Sequence, residues 1–412
     1  MTDASPAAGL KVAVFGFDLG EASQIRRIRA LLALGCKITS FCQRREGTPD
    51  FTPEWENVDL GLVRHGDIKG RSIALGRSVL RAMGHWRSIA EADIFIARNL
   101  DLAIIASVTQ RLAAMRAGRA RAPLVYECLD IHDLMTAEGR KGKIIRWAER
   151  HILDQAALLV VSSPGFITNY FKSYQDHDGP FAIIENKLWL GTQSSDRPCR
   201  PAAPVPGDGP LVLGLVGSIR CQTSVELLFR TADLMGDRIR IRFAGALHEH
   251  ALNNFHQELA KRPNCEWTGR YSYPDGLPDA YAGCDLVWAQ DMWQRNTNSD
   301  WLLPNRLYEA SWCGCPSIGL ADTQTGRKIV ADKLGWVISD ESPAMLVNLL
   351  NRLERSEIAA RAATLRDRPE SNFIQSPREL LPMLAPALSH GAGSQREETR
   401  KPDLKTGCGQ DV

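Results

Sequence analysis

The chain has 412 residues, which is long for one hydrophobic core and indicates two domains followed by a short tail. Hydrophobic residues make up 44% and charged residues 24%, and no apolar run reaches the ~18 residues that a membrane-spanning helix needs. The net charge of +2, from 50 basic and 48 acidic residues, gives no overall attraction for nucleic acid. Since the N-terminus also lacks a secretory signal pattern, we expect a cytoplasmic protein.

The cysteines give no sign of a metal site. The ten cysteines are scattered, mostly in apolar segments, and none forms a C-x-x-C or C-x-x-H pair. Cys313 and Cys315 are separated by a single glycine, a spacing unlike that of zinc sites. We therefore expect reduced thiols in the core and no bound metal.

The first half of the chain alternates short apolar segments with helical patterns. Residues 21–34 place Ile25, Ile28 and Leu32 on one helical face, and Gly35 ends that pattern. Strand-like segments occur at residues 11–15, 93–96, 124–126, 158–161 and 181–184. Strands that alternate with helices predict a parallel, doubly wound sheet.

A stretch rich in proline and glycine separates this half from a second alternating unit. Residues 196–210 can hold neither a helix nor a strand ladder, so we predict an interdomain linker there. The predicted domains are therefore residues 1–195 and 211–365. Residues 366–389 are expected to form a helical segment that returns toward the first domain, and residues 390–412 a disordered tail.

Ligands of open parallel sheets bind beyond the carboxyl ends of the strands, where loops and helix N-termini converge. In the first domain, these loops contain the polar and glycine positions Asp18, Gly20, Arg98, Asn99 and Lys187. The first loop lacks the G-x-G-x-x-G spacing, and the chain has no G-x-x-x-x-G-K-[ST] motif. Nicotinamide-dependent oxidoreductases and P-loop nucleotidases are therefore disfavoured.

The first strand of the second domain ends in a small-residue loop. Gly217 and Ser218 would let a diphosphate approach backbone N–H groups, and Arg220 could offset its charge. Gly245 follows the next strand in the same way. A tight turn with a solvated arginine remains an equally good interpretation of this loop.

The segment PNRLYEA at residues 304–310, followed by GCPSI at 314–318, is more specific. Here the chain resembles the GT-B glycosyltransferases, especially family 4 and its relatives that build bacterial exopolysaccharides. The resemblance implies an α/β fold with two Rossmann-like, doubly wound parallel-sheet domains that face each other across a cleft. In those enzymes, this loop and helix start hold the diphosphate of a nucleotide-sugar.

The resemblance also implies roles for individual residues of the donor site. It assigns Glu309 to the ribose hydroxyls and Asn305 or Arg306 to the phosphates, although Glu309 could instead be an exposed helix charge. The remaining implied donor-binding positions are Gly217, Ser218, Arg220, Gly245, Tyr271, Asp300 and Pro304. The implied substrate is a nucleotide-sugar, with a UDP-sugar favoured, and neither a metal nor another cofactor is expected.

The first half resembles the acceptor domain of succinoglycan-type glycosyltransferases. Matching pieces include residues 97–101, 126–132, 162–164 and 185–187. The resemblance therefore implies that Asp18, Gly20, Arg98, Asn99 and Lys187 lie on the acceptor side.

Two departures leave the stereochemistry open. Retaining family 4 enzymes usually have a second glutamate eight residues before the ribose-binding one, where this chain has Trp301, preceded by Asp300. Ser218 and Thr223 stand where basic residues are common in the family, although Arg220 could substitute for them. The anomeric configuration could thus be retained or inverted.

An inverting transfer would need a general base beside the acceptor hydroxyl. The cluster after the strand at 124–126 is the best source, with Asp130 as first choice, His132 as second and Glu127 as a further candidate. Asp130 could instead cap the next helix, and His132 could simply satisfy a backbone carbonyl.

Two stretches suggest an acceptor at a membrane surface. Residues 140–153 and 71–87 interleave basic with apolar residues, as helices that lie on anionic lipid do, although each could also pack its apolar side on the first domain. The expected function is transfer of a hexose to a glycan acceptor, such as a lipid-linked exopolysaccharide repeat unit, at the inner face of the cell membrane. A GT-B sugar-nucleotide epimerase and a non-catalytic nucleotide-sugar binding protein remain alternatives.

Overall fold

The computed structural model describes residues 5–45, 51–63, 68–192, 197–200 and 209–398. Most of the linker predicted over residues 196–210, and the tail from residue 399 onward, lie outside the described residues.

The first domain contains a parallel sheet with strand order β3-β2-β1-β4-β5-β6-β7. Its central strands are buried along their whole length, because helices cover both faces of the sheet. The strands are β1 (Lys11–Gly16), β2 (Lys37–Arg45), β3 (Glu56–Val63), β4 (Ile94–Arg98), β5 (Leu124–Cys128), β6 (Leu158–Val161) and β7 (Phe181–Ile183).

Helices connect these strands. They are α1 (Ala22–Ala33), α2 (Ile68–Met83), α3 (Trp86–Ala90), α4 (Asn99–Ala117), α5 (Asp133–Thr136), α6 (Arg140–Leu153) and α7 (Pro164–Phe166). The single helix predicted over residues 71–87 is wrong, because Gly84 and His85 separate α2 from α3.

The second domain repeats the arrangement with strand order β10-β9-β8-β11-β12-β13. The strands are β8 (Leu211–Val216), β9 (Ile239–Ala244), β10 (Cys265–Trp267), β11 (Leu286–Trp288), β12 (Ser317–Leu320) and β13 (Gly335–Ile338). The helices are α8 (Gln222–Met235), α9 (Phe255–Ala260), α10 (Leu277–Tyr281), α11 (Asn298–Trp301), α12 (Asn305–Cys313), α13 (Gln324–Ala331), α14 (Pro343–Arg352) and α15 (Arg355–Asp367). These two parallel sheets confirm the predicted α/β fold class.

After α15 the chain crosses back to the first domain. The backbone of Leu188 accepts from and donates to this crossing segment, with N–O distances of 2.7 Å to Gln375 and 2.9 Å to Phe373. Helix α16 (Leu381–Glu398) follows, and its buried residues Met383 and Leu384 pack in the core beneath the first sheet. The C-terminal segment therefore fastens the two domains together. No helix in the described ranges is long and apolar enough to span a bilayer.

Candidate active site

Residues beyond the strand ends of the two sheets meet across a cleft. The amide Nδ2 of Asn298 donates to Asp130 Oδ1 at 3.3 Å, and Arg26 Nη1 donates to the Tyr273 hydroxyl at 3.2 Å. The Ser163 hydroxyl also donates to the carbonyl of Trp301. The sequence-predicted loops of both domains are thus brought to one place.

Three glycine-containing loops lie on the second-domain side of the cleft. Gly217, Gly245 and Gly269 all have positive φ, and Gly245 N–H donates to Gly269 O at 2.7 Å. A Cβ atom on Gly245 would lie 2.0 Å from Gly217 O, so no other residue fits there. This close packing leaves backbone rather than side chains at the ends of β8 and β9.

Two arginine side chains lie beside these glycine loops. Arg306 Nη2 donates to Ser218 O at 3.1 Å, which links the start of α12 to the loop after β8. Arg220 is half exposed, lies over the Trp293 ring at 5.9 Å and approaches Asp291 at 3.8 Å. Both cations can therefore act on an anion bound at these loops.

Helix α12 directs Glu309 into the protein. Pro304 takes the extended conformation of an N-cap, Asn305 begins the helix, and Glu309 lies one turn further on with only 6% exposure. The hydroxyl of Tyr281 donates to Glu309 Oε2 at 3.3 Å. The interpretation of Glu309 as an exposed helix charge is therefore wrong.

The environment of Glu309 combines burial with positive charge. Burial raises the pKa of Glu309, while Arg26 and Arg306 partly oppose the rise. Burial, together with the charge of Glu309, also raises the pKa of Tyr271. A buried carboxylate to which few protein groups donate can still accept hydrogen bonds from the hydroxyl group of a bound ligand.

Asp300 does not join this group. Its carboxylate contacts Arg295 and accepts from the backbone N–H of Asn296 at 2.9 Å. Arg295 is shared with Asp322 and Glu341, each at 3.4 Å. These contacts hold the loop that precedes α11, and the donor-binding role of Asp300 stays a prediction.

Asp130 lies on the first-domain side of the cleft, next to Asn298. Its side chain has access to solvent. The protein groups packed around the carboxyl group partly desolvate it and raise its pKa to about 6. The N–H of Asn298 and the charge of Arg220 oppose the rise, whereas Glu21 and Asp291 add to it. Asp130 precedes α5 by three residues and does not cap it.

His132 has a structural task. Its Nδ1 accepts from the backbone N–H of Leu134 at 3.2 Å and so caps α5. This contact requires the tautomer with hydrogen on Nε2, because an Nδ1 that accepts cannot carry a proton. Its Nδ1 is thus occupied by the helix cap, which favours Asp130 over His132.

Glu127 is buried away from the cleft. Its two oxygens form ion pairs at 2.8 Å with Nε of Arg27 and Nε of Arg98, and none of the three side chains is more than 3% exposed. Burial alone would raise the pKa of Glu127, but the two guanidinium groups outweigh it and hold the pKa below the usual range. Both Glu127 and Arg98 are thus committed to this triad, and the geometry supports neither a catalytic Glu127 nor an acceptor-binding Arg98.

The other first-domain predictions have mixed outcomes. Asp18 Oδ1 accepts from the backbone N–H of Gly20 at 3.2 Å, which shapes the loop after β1. Asn99 begins α4 with a positive φ of 64°, and its buried Oδ1 has no hydrogen-bond partner in the described part of the chain. Lys187 instead lies at the domain crossing, 3.0 Å from Ser371 O and 3.1 Å from Glu379 Oε2.

Asn298 and the contact between Arg26 and Tyr273 were not predicted from the sequence. Asn298 accepts from the backbone N–H of Ile131 at 2.8 Å and donates to Asp130, so it ties the second domain to the strand end that carries Asp130. The sequence places Arg26 in the helix predicted over residues 21–34. Nothing in the sequence links it to a tyrosine 247 positions away.

Comparison with known proteins agrees with this architecture. A glycosyl transferase 4-like domain matches residues 24–171. The succinoglycan biosynthesis protein ExoL of Rhizobium meliloti is 32% identical over 349 residues, which cover 84% of this chain and 85% of ExoL. The chain belongs to the glycosyltransferase 4-like family. The resemblance inferred from residues 304–318 is thereby confirmed, and the protein is a glycosyltransferase.

Solved structures show the same fold for this glycosyltransferase. Sucrose-phosphate synthase from Thermosynechococcus elongatus superposes with a TM-score of 0.65 at 12% identity, covering 95% of this chain and 100% of that one. Anabaena HepE, solved in complex with UDP and glucose, gives a TM-score of 0.58 at 13% identity, covering 94% of this chain and 100% of HepE. These similarities confirm the GT-B fold.

We expect Glu127→Ala to lower the free energy of unfolding by about 3–5 kcal/mol, because it leaves two buried guanidinium groups without their counter-charge. Urea unfolding followed by circular dichroism measures the loss. Glu54→Ala is the matched control, since Glu54 pairs with Arg29 at the surface, where such a pair contributes at most about 1 kcal/mol. Equal losses in the two variants would contradict the structural role given to Glu127.

Proposed function

We propose that this glycosyltransferase moves a hexose from a nucleotide-diphospho-sugar, with a UDP-sugar favoured, to a lipid-linked glycan during exopolysaccharide synthesis. The observation that carries the proposal is the buried Glu309 of α12, together with Arg306 of the same helix, which donates to Ser218 O next to Gly217. Asp130 faces the charge of Arg220, from the same loop, across the cleft. ExoL, named for succinoglycan biosynthesis, supports the acceptor class. HepE, which binds UDP and glucose, supports the donor class.

The donor would be held at the start of α12. Glu309 accepts hydrogen bonds from ribose hydroxyls, while the N-terminus of α12, Arg306 and Arg220 stabilise the diphosphate. As the glycosidic bond breaks, the same positive groups stabilise the charge that develops on the leaving diphosphate. This arrangement needs no metal ion to neutralise the leaving group.

A thermal-shift screen with UDP-, GDP- and ADP-sugars tests the donor site. The correct donor should stabilise the wild-type protein by about 2.7 kcal/mol at a hundred times its dissociation constant. We expect Glu309→Gln to lose most of this shift, because a neutral amide is a weaker acceptor for ribose hydroxyls. Glu258→Gln, on the outer helix α9, should keep it. If none of the nucleotide-sugars raises the melting temperature of the wild-type protein, the proposed donor site is wrong.

On the acceptor side, we propose Asp130 as general base. In an inverting transfer, Asp130 takes the proton of the acceptor hydroxyl while that oxygen attacks the anomeric carbon. The bond from this carbon to the phosphate oxygen breaks, and its electron pair leaves with the diphosphate. Enclosure of Asp130 suits this role, because a base with a pKa of about 6 is stronger than an ordinary aspartate and still ionised at neutral pH.

The pH dependence of kcat/KM tests the base. Because the pKa of Asp130 is raised, the group is protonated and inactive at low pH, and kcat/KM should fall as the pH drops through about 6. Asp130→Asn should lower activity by more than tenfold at every pH, whereas Asp133→Asn, on the exposed start of α5, should keep the profile. Activity of Asp130→Asn within tenfold of wild type would rule out this base.

We further propose that the first domain binds the inner face of the membrane through α6. Ile152 faces the core, but Ile144 and Trp147 are 64% and 71% exposed, and they share the helix with the exposed cations Arg140, Lys141 and Lys143. Helix α4, which packs against α6, carries a further exposed apolar residue, Met115, which is 74% exposed. Such a surface matches anionic lipid headgroups above an apolar layer.

Flotation with vesicles of phosphatidylcholine, with and without phosphatidylglycerol, tests this surface. We expect binding only to vesicles that contain phosphatidylglycerol, and several-fold weaker binding by the double variant Ile144→Ala/Trp147→Ala, because it removes the apolar contact. Trp293→Ala, at an exposed tryptophan of the second domain, is the control. Equal flotation of the two variants, or no flotation of the wild type, would contradict the proposal.

A further inference from the structure

Arg26 reaches from the first domain into the donor site of the second. It lies on α1, is only 6% exposed, and donates through Nη1 to the Tyr273 hydroxyl at 3.2 Å. Its guanidinium group also lies 5.7 Å from the centre of the Tyr273 ring. A side chain of the predicted acceptor domain is thereby buried among donor-domain residues.

The guanidinium group of Arg26 does not have all of its hydrogen-bond donors paired there. Nη2 of Arg26 is buried and has no hydrogen-bond partner among the described residues. A buried, charged donor without a partner is costly, and native proteins retain such groups at functional positions. Burial lowers the pKa of Arg26, but Tyr273 and Glu309 outweigh it, so the side chain keeps its charge.

Glu309 can complement this unpaired Nη2, because its negative charge acts on Arg26. The charges of Arg26 and Glu309 act on each other, yet no ion pair within 4.0 Å joins them in the described part of the chain. Among the residues that the structure describes, the Tyr281 hydroxyl alone donates to Glu309. A hydroxyl group between them would satisfy both side chains, because it can donate its hydrogen to a carboxylate and accept from an N–H with its oxygen.

We propose that Arg26 is a positioning residue that binds a ribose hydroxyl of the nucleotide-sugar opposite Glu309, so that both domains hold the same nucleotide. The inference rests on the proposed donor site and adds a first-domain partner to it. Because Arg26 reaches the ribose only when the domains are close, donor binding also favours closure of the cleft.

Calorimetric titration of the full chain tests the contact with two probes, the nucleoside diphosphate selected by the donor screen and its 2′,3′-dideoxy form. We expect Arg26→Met to weaken binding of the ribose form by about 10- to 100-fold, the usual effect of losing a hydrogen bond from a charged group. The dideoxy form should bind Arg26→Met and wild type within about threefold of each other, because the contact is already missing.

Matched variants separate this role from a structural one. Arg29→Met changes an arginine of the same helix that pairs with Glu54 at the surface, and it should bind both probes as the wild type does. Arg26→Lys keeps the charge and should recover part of the affinity, which also serves if Arg26→Met fails to fold. Equal loss for both probes, or no loss for the ribose form, would overturn the role of Arg26. Failure of the wild type to bind any nucleoside diphosphate would instead remove the donor site itself.

Discussion

The buried pairing of Glu127 with Arg27 and Arg98 is the constraint from which the site is built. It joins β5, α1 and β4 beneath the cleft, and Arg27 Nη1 extends the network to Gln375 of the crossing segment at 3.1 Å. Buried ion pairs add little net stability, but breaking one is costly, so they fix a geometry. Asp130 follows Glu127 by three residues and Arg26 precedes Arg27, so both side chains at the cleft depend on this triad for their positions.

The second domain contacts Asp130 through Asn298, and the buried side chain of Gln290 supports the segment that carries Asn298. Gln290 is fully buried, and its Oε1 accepts from Thr323 Oγ1 at 2.9 Å and from the backbone N–H of Leu320 at 3.2 Å. Its Nε2 donates to Ser299 O at 3.3 Å, next to Asn298. A satisfied buried amide of this kind makes the segment rigid, so Asn298, the first residue of α11, can hold Asp130 across the cleft.

The elements that the sequence predicted well are those whose environment is uniform. Strand β6 has the predicted bounds, since both faces of a parallel sheet are covered and its residues form a continuous apolar run. Strands β2 and β3 were not predicted. They lie toward the edge of their sheet, where the sequence mixes polar with apolar residues and gives no such run. The apolar pattern over residues 71–87 likewise gave no sign of the break between α2 and α3.

The sequence by itself determined the fold class, the two-domain order and the family, because hydrophobic periodicity and the residues 304–318 are local properties of the chain. It also placed Gly217, Gly245, Arg306 and Glu309 at strand ends and at a helix start, where ligands of such sheets bind. Only the tertiary structure decided which charges remain available at the cleft. Glu127, Arg98 and Asp300 meet their ion-pair partners through folding, His132 is committed to a backbone N–H, and Arg26 and Asn298 reach across from the opposite domain. Pairings between residues so distant in sequence leave no local pattern, since they depend on how two separately formed sheets come together.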